Sequence, residues 1–106
     1  MDINSEDIKV KNNLPQHRYE VEIDGELAEL VYSHRGNVIT FMHTGVPPAL
    51  EGHGIAGKLA HTALEEARAQ KLTVYPTCPY VAAYIRRHTE YMDLLPPSEQ
   101  ARLKNG

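Results

Sequence analysis

The amino-acid sequence predicts a single α+β domain on a mostly antiparallel sheet, with its elements in the order βββ-α-β-α. Three observations lead there. Residues from Tyr19 to Thr44 alternate with a period of two and are cut by tight-turn signals, residues 54–70 change to a helical period, and two proline-bounded segments come after them, one β-branched and one helical. A chain of 106 residues has room for one such domain, since two cores cut from it would each be marginal.

Taken in order, residues 1–16 are polar and unpatterned and read as a flexible leader, with at most a short edge segment from Ile8 to Val10. The domain is expected over residues 17–95. Tyr19, Val21 and Ile23 alternate with Glu20, Glu22 and Asp24, as in a half-buried strand. Asp24-Gly25 suits a type I′ hairpin turn, whose two central residues both need φ > 0. A second strand runs from about Glu26 to Ser33, Arg35-Gly36-Asn37 makes another turn, and a third strand, Val38 to Thr44, ends before Pro47-Pro48, which cannot donate ladder hydrogen bonds. Ile55, Leu59, Ala63, Leu64 and Ala67 then share one face of a helix from about Gly54 to Gln70, with Lys58, Glu65, Glu66 and Arg68 mostly outside it. Leu72 to Pro76 is a β-branched run, and Pro79 stands where a first helical turn tolerates proline, opening a helix to about His88. Residues 96–106 form a tail or a short capped helix.

Composition narrows the function. Hydrophobic residues at 42% and charged residues at 24% describe an ordinary globular protein. No apolar run is long enough to span a bilayer, and Met1 to Asp7 lacks the basic start and apolar stretch of a signal peptide, so the expected location is cytoplasmic with no membrane partner. A net charge of -3 leaves no basic footprint for nucleic acid. The single cysteine, Cys78, excludes an internal disulfide and a thiolate-rich zinc site, and the six histidines show no metal-ligand spacing, so no metal is assigned.

The strongest local signal is Glu51-Gly52-His53-Gly54-Ile55-Ala56-Gly57, with three glycines where the long helix begins. The first amides of a helix have no partner within it and point, with the positive end of the dipole, at whatever approaches. Glycines let a bulky anion come close to those amides, each favourable charge-dipole contact being worth about 0.3–1 kcal/mol. A diphosphate is one such anion. The same glycines would also serve a turn that simply lets the helix lie close to the sheet.

Here the chain resembles the Gcn5-related N-acetyltransferases, whose cofactor motif is Arg/Gln-x-x-Gly-x-Gly/Ala between a central strand and a helix. Gly54 and Ala56 match it in Glu51-x-x-Gly54-x-Ala56. His43-Thr44-Gly45-Val46-Pro47, Gly52-x-Gly54-Ile55-Ala56, Pro76-Thr77-Cys78-Pro79-Tyr80 and Arg86-Arg87-His88 are similar, in the same order, to strings of a subgroup of very small single-domain members, over roughly residues 17–95. The resemblance implies a motif strand splayed from the last strand, with acetyl-CoA in the gap and an amine acceptor, a small molecule or a peptide. The gap would have walls from about Phe41 to Pro47 on one side and the last strand and helix on the other. The cofactor positions it implies are Thr44, Val46, Gly52, His53, Gly54, Ile55, Ala56, Gly57 and Lys58. Two positions depart from the pattern: Glu51 stands where Arg or Gln is usual and is expected to turn into solvent, and Gly45 stands where the small subgroup commonly carries a glutamate.

Three side chains are candidates for chemistry. Cys78 precedes Pro79 at a helix start, where the dipole favours a thiolate; it is an acetyl-accepting thiol, a pocket wall or a small buried filler. Tyr84, with Tyr80 as the second choice, lies on the helix from which related acetyltransferases protonate the departing thiolate, although tyrosines at this spacing also serve packing. His43, at the end of the third strand, is a candidate base for the amine, or a structural residue. Arg86-Arg87 reads as a solvated helix face or a contact for the 3′-phosphate of CoA. The expected function is acetyl-CoA-dependent N-acetylation of an unidentified amine by a monomer or weak dimer, the alternative being a module that binds CoA or acyl-CoA without efficient turnover.

Overall fold

The structure, a computed structural model, describes residues 3–4 and 7–105; residues 1, 2, 5 and 6 of the expected leader, and residue 106, lie outside it. Its strands are β1 (Lys11–Asn13), β2 (Arg18–Ile23), β3 (Glu26–Arg35), β4 (Val38–Gly45) and β5 (Thr73–Pro76), and its helices are α1 (Ile55–Ala69), α2 (Pro79–Arg87) and α3 (Pro97–Asn105). Short 3-10 turns occupy Pro48–Leu50 and Thr89–Leu94. The five strands form one sheet in sequence order, antiparallel from β1 to β4, with β5 parallel to β4. This is the α+β arrangement that the sequence predicts, with one further strand at the start.

That further strand corrects the expected start of the sheet. Pairing begins at Lys11, before His17, and the edge strand lies at Lys11–Asn13 rather than at Ile8 to Val10. A turn over Leu14 to His17, with His17 at φ 52 and its amide donating to the Leu14 carbonyl at 3.2 Å, folds this polar stretch back onto β2. Ile8 is buried in the core just ahead of it. The other turns form as predicted: Asp24 and Gly25 both have positive φ, 51 and 80, which the I′ hairpin requires.

One face of the sheet carries the core. Tyr19, Val21, Ala28, Leu30, Tyr32, Ile39, Phe41 and Val74 point to α1 and α2, which bury Ile55, Leu59, Ala60, Ala63, Leu64, Ala67, Val81 and Ile85 against them. The helical period of α1 thus does its work as one stripe, and truncating a fully buried member such as Leu59 costs about 2–5 kcal/mol. Polar ties flank the stripe. Tyr19 Oη donates to Glu66 at 2.8 Å, and Tyr91 Oη donates to Glu65 at 2.6 Å. Burial pushes both phenols well above their ordinary range, and the neighbouring carboxylates push them further, so each stays a neutral donor. Past the end of α1, Lys71 takes the left-handed conformation usually given to glycine, at φ 58, and the Leu72 amide closes the turn on the Ala67 carbonyl at 2.9 Å. The opposite face of the sheet carries Arg18, Glu20, Glu29, Val31, Ser33 and Thr40, all half-buried.

On that face Arg18 Nε donates to Glu20 at 2.7 Å and holds its carboxyl below the ordinary carboxylate range, with Asn13 as a second donor. A carboxylate whose pKa is lower folded than unfolded adds stability above its unfolded pKa and loses it as pH falls through the folded one. Glu20→Gln is therefore expected to lose less melting temperature between pH 7 and acid than the parent chain does. An equal acid loss in both proteins would show that this pair contributes nothing.

Candidate functional site

The site begins where two strands stop running together. β5 pairs with β4 only from Val38↔Thr73 to Phe41↔Pro76, and the last four residues of β4, Met42 to Gly45, continue on β3 alone. The Thr77 amide, next in line to extend the ladder, bonds back to the Tyr75 carbonyl at 3.1 Å instead. The chain then turns away into α2, and the Phe41 carbonyl takes two bonds in doing so, from the Cys78 amide and from Thr77 Oγ1, both at 2.8 Å. Beyond that carbonyl the edge of β4 faces an opening.

A bulge decides what faces it. Val31 pairs with His43 but Tyr32 pairs with Phe41, so Met42 is the extra residue. The Tyr32 amide bonds to the His17 carbonyl on the β2 side, so alternation turns Val31 and Glu29 to β4, their partners His43 and Gly45 to β3, and the amide of Thr44 outward to the opening. Side chains are resorted as well. Thr44, opposite buried Leu30, falls on the helix side, where its Oγ1 lies 3.2 Å from Cys78 Sγ, whereas His43, opposite Val31, falls on the other side and is exposed. Met42 is 50% exposed, as an extra residue at a bulge is free to be.

The glycine-rich turn closes the far end. Gly52 and Gly54 sit at φ 83 and 73, and a Cβ built on either would meet nothing within 4 Å, so the space over the turn is open. The Gly54 carbonyl accepts the first helical bond, from the Lys58 amide at 3.1 Å; the amides of Ile55, Ala56 and Gly57 precede it and point out of the helix start. They border a cleft of about 190 Å³ lined by Val46, Leu50, Glu51, Gly52, Gly54, Ile55, Ala56, Gly57 and Tyr80. Amides without helical partners, glycines with open space above them and an apolar flank suit a diphosphate joined to a longer chain.

Of the positions expected for the cofactor, Val46, Gly52, Gly54, Ile55, Ala56 and Gly57 line this cleft. His53 and Lys58 are exposed beside it, and Thr44 lies on the outward edge of β4. Glu51 is exposed and is part of the rim.

The expected catalytic groups are brought to one split but not to one side. Cys78 caps α2 and is only 2% exposed, on the helix side with Thr44. His43 is on the opposite side. Tyr80 lines the cleft, with its Oη 3.6 Å from where a Cβ on Gly57 would lie. Tyr84 sits one turn deeper, 7% exposed and stacked on His88 at 4.1 Å, and burial raises its pKa, as does the nearby Tyr80. Spacing alone put both tyrosines on one face of α2; only packing separates them. Arg86 donates to the Leu103 carbonyl at 3.0 Å, which ties α3 to α2. Leu50 and the bulge at Met42 were not foreseen, and neither has a signal in the sequence.

Comparison with known proteins bears on this geometry directly. The family described as GCN5-related N-acetyl-transferase matches residues 18–94, which span every strand from β2 and both helices that border the split. The chain belongs to the GCN5-related N-acetyltransferase family. Within it, the chain is 30% identical over 95 residues to protein NATD1 of Mus musculus, covering 85% of this chain and 86% of that one, and 30% identical over 95 residues to NATD1 of Homo sapiens, covering 85% and 84%. In structure it resembles a GCN5-like N-acetyltransferase candidate from Staphylococcus aureus solved by NMR in solution, with a TM-score of 0.67 and 26% identity over 85% of this chain and 89% of that one. The kind of activity that goes with the family is N-acetyl transfer. No helix among the described residues is long and apolar enough to cross a membrane.

The depth of Cys78 has a measurable consequence. In the native chain its alkylation by iodoacetamide is expected to run at least about 100-fold slower than in urea, because attack must wait for local opening. Comparable rates would place the thiol at an accessible surface.

Proposed function

We propose that the chain is an acetyl-CoA-dependent N-acetyltransferase in which the turn from Gly52 to Gly57 holds the diphosphate and the outward edge of β4 holds the acyl end. The observation that carries this reading is the continuity of the two features: the open helix start and the unpaired edge from Met42 to Gly45 meet at Val46, which lines the cleft. Acetyl-CoA supplies an activated acyl carbonyl and a thiolate leaving group. The amides of Ile55, Ala56 and Gly57 donate hydrogen bonds to the diphosphate, and the outward amide of Thr44 polarises the carbonyl. Tyr80 is the better placed of the two tyrosines to hold a proton for the departing sulfur, since it lines the cleft while Tyr84 is packed behind it with a raised pKa. Cys78, buried against Thr44, forms the helix-side wall of the acyl pocket, and transfer is direct.

Glu51 is the one unfavourable group, a carboxylate on the rim of an anion site. Binding without turnover is the competing reading, and thiol release across an amine and peptide panel separates the two.

Acetyl-CoA is expected to raise the melting temperature of the parent chain and to leave Gly54→Val unchanged, because valine at φ 73 is strained and fills the space over the turn. Equal stabilisation of both would remove the site. Glu51→Gln should tighten acetyl-CoA by roughly threefold by relieving repulsion at the rim; weaker binding would mean that the carboxylate helps. Tyr80→Phe is expected to slow CoA release by about 100-fold with little change in acetyl-CoA KM, and the reverse ranking of Tyr80→Phe and Tyr84→Phe would move the acid one turn along α2.

A further inference from the structure

The ends of α2 and α3 leave a second cavity between them, of about 260 Å³, lined by Arg86, Thr89, Met92, Leu103 and Lys104. It shares no lining residue with the cleft at the start of α1. Helix geometry keeps the two apart. At about 100° per residue, the six positions from Tyr80 to Arg86 bring the side chain about 120° round α2, from the cleft to the flank on which α3 packs. There Arg86 Nε donates to the Leu103 carbonyl and Arg102 Nη2 donates to the Pro76 carbonyl, both at 3.0 Å. These two ties fasten α3 to α2 and to the end of β5, and the turn from Thr89 to Leu94 closes the remaining side.

The floor of this cavity is apolar and its rim is positive. Leu103 is buried and Met92 half-buried, whereas Arg86 and Lys104 are exposed at the edge. Among the described residues neither cation meets a carboxylate, since the ion pairs are those of Arg18 with Glu20 and Glu29, Arg68 with Asp93 and Arg102 with Glu99. The acids of the same segment are turned elsewhere. Asp93 is held by Arg68 on α1 at 2.9 Å, Glu99 is held by Arg102 at 2.8 Å, and Glu90 lies towards Tyr84 and Tyr91, where its charge adds to burial in raising both phenols. With Nε on the Leu103 carbonyl, Arg86 keeps its two Nη groups, a fork that matches a carboxylate. Two cations beside buried hydrocarbon, with no acid of the protein between them, suit an anion that carries hydrocarbon of its own.

We propose that this cavity binds a short aliphatic carboxylate, with the carboxylate between Arg86 and Lys104, the Thr89 hydroxyl as a further donor, and the hydrocarbon on Met92 and Leu103. An inorganic anion would leave the floor wet, and a neutral hydrocarbon would leave both cations unanswered. The volume lies just under the roughly 300–1,000 Å³ of clefts for drug-sized ligands, which fits an acid of this size. A free acid and the C-terminal carboxylate of a peptide ending in an aliphatic residue share this chemistry. The site requires neither acetyl-CoA nor the split in the sheet, so it stands apart from the acetyltransferase reading.

The test is a titration of the full chain, carbon-13-labelled at its methionine methyls, with 4-methylpentanoate at low ionic strength. Met92 should shift saturably while Met42, on β4, stays in place. The uncharged 4-methylpentanamide and the short acetate should each bind at least about tenfold more weakly, one lacking the charge and the other the hydrocarbon. Lys104→Gln, an exposed change that leaves Arg86 on the Leu103 carbonyl, should weaken binding about threefold, and Lys104→Glu about tenfold. No saturable shift at Met92, equal binding of the acid and its amide, or equal binding by the parent and Lys104→Glu overturns the proposal. Acetate binding as tightly as 4-methylpentanoate also overturns it, because charge alone would then account for the site. N-acetyl-leucine identifies the source: tighter binding than 4-methylpentanoate supports the site as one for a peptide terminus, and weaker binding supports it as one for a free acid.

Discussion

The Phe41 carbonyl is the point on which the site depends. It accepts from the Cys78 amide and from the Thr77 hydroxyl in the space where the next rung of a parallel ladder would have been, so it ends the pairing of β4 and β5 and starts α2 in one step. If β5 ran two residues further, the outward amide of Thr44 would be consumed by the ladder, and no edge would remain for a ligand to pair with. If the junction were slack, Cys78 and Thr44 would not meet at 3.2 Å, and the helix-side wall of the opening would be lost. A sheet that is continuous at one end and parted at the other needs such a clamp at the point of division.

The bulge at Met42 works with the clamp. It lies next to the last paired residue, Phe41, and exchanges the faces of residues 43–45, so that Thr44 rather than His43 joins the helix side. The two faces of the sheet thereby become chemically different here. The helix side presents the hydroxyls of Thr44 and Tyr80, the buried Cys78 and the amides of the α1 start; the other face carries His43 and Glu29 beside Gly45.

Much of the scaffold was legible in the sequence because it depends on local chemistry. Asp24-Gly25 can hardly be anything but a primed turn, the stripe from Ile55 to Ala67 can face only one way, and Gly54 at a helix start requires no tertiary knowledge. The features that were not legible depend on register or depth. β1 has only polar residues and is held by a turn with His17 in the left-handed region, for which nothing local signals. Tyr80 and Tyr84 have the same spacing signature and differ only in what packs over them. The pairing of Gly45 with Glu29 becomes visible only once the bulge fixes which residues face each other.

The central claim, that the helix start at Gly54 and the free edge of β4 form one binding surface, is tested most directly by titrating the nitrogen-15-labelled chain with CoA and mapping its backbone amides. The account predicts that Ile55, Ala56 and Gly57 shift together with Thr44 and Val46 at a single Kd, with β1 and the Asp24-Gly25 hairpin unmoved. Shifts confined to the helix start, or shifts of the two groups with different Kd values, would contradict it.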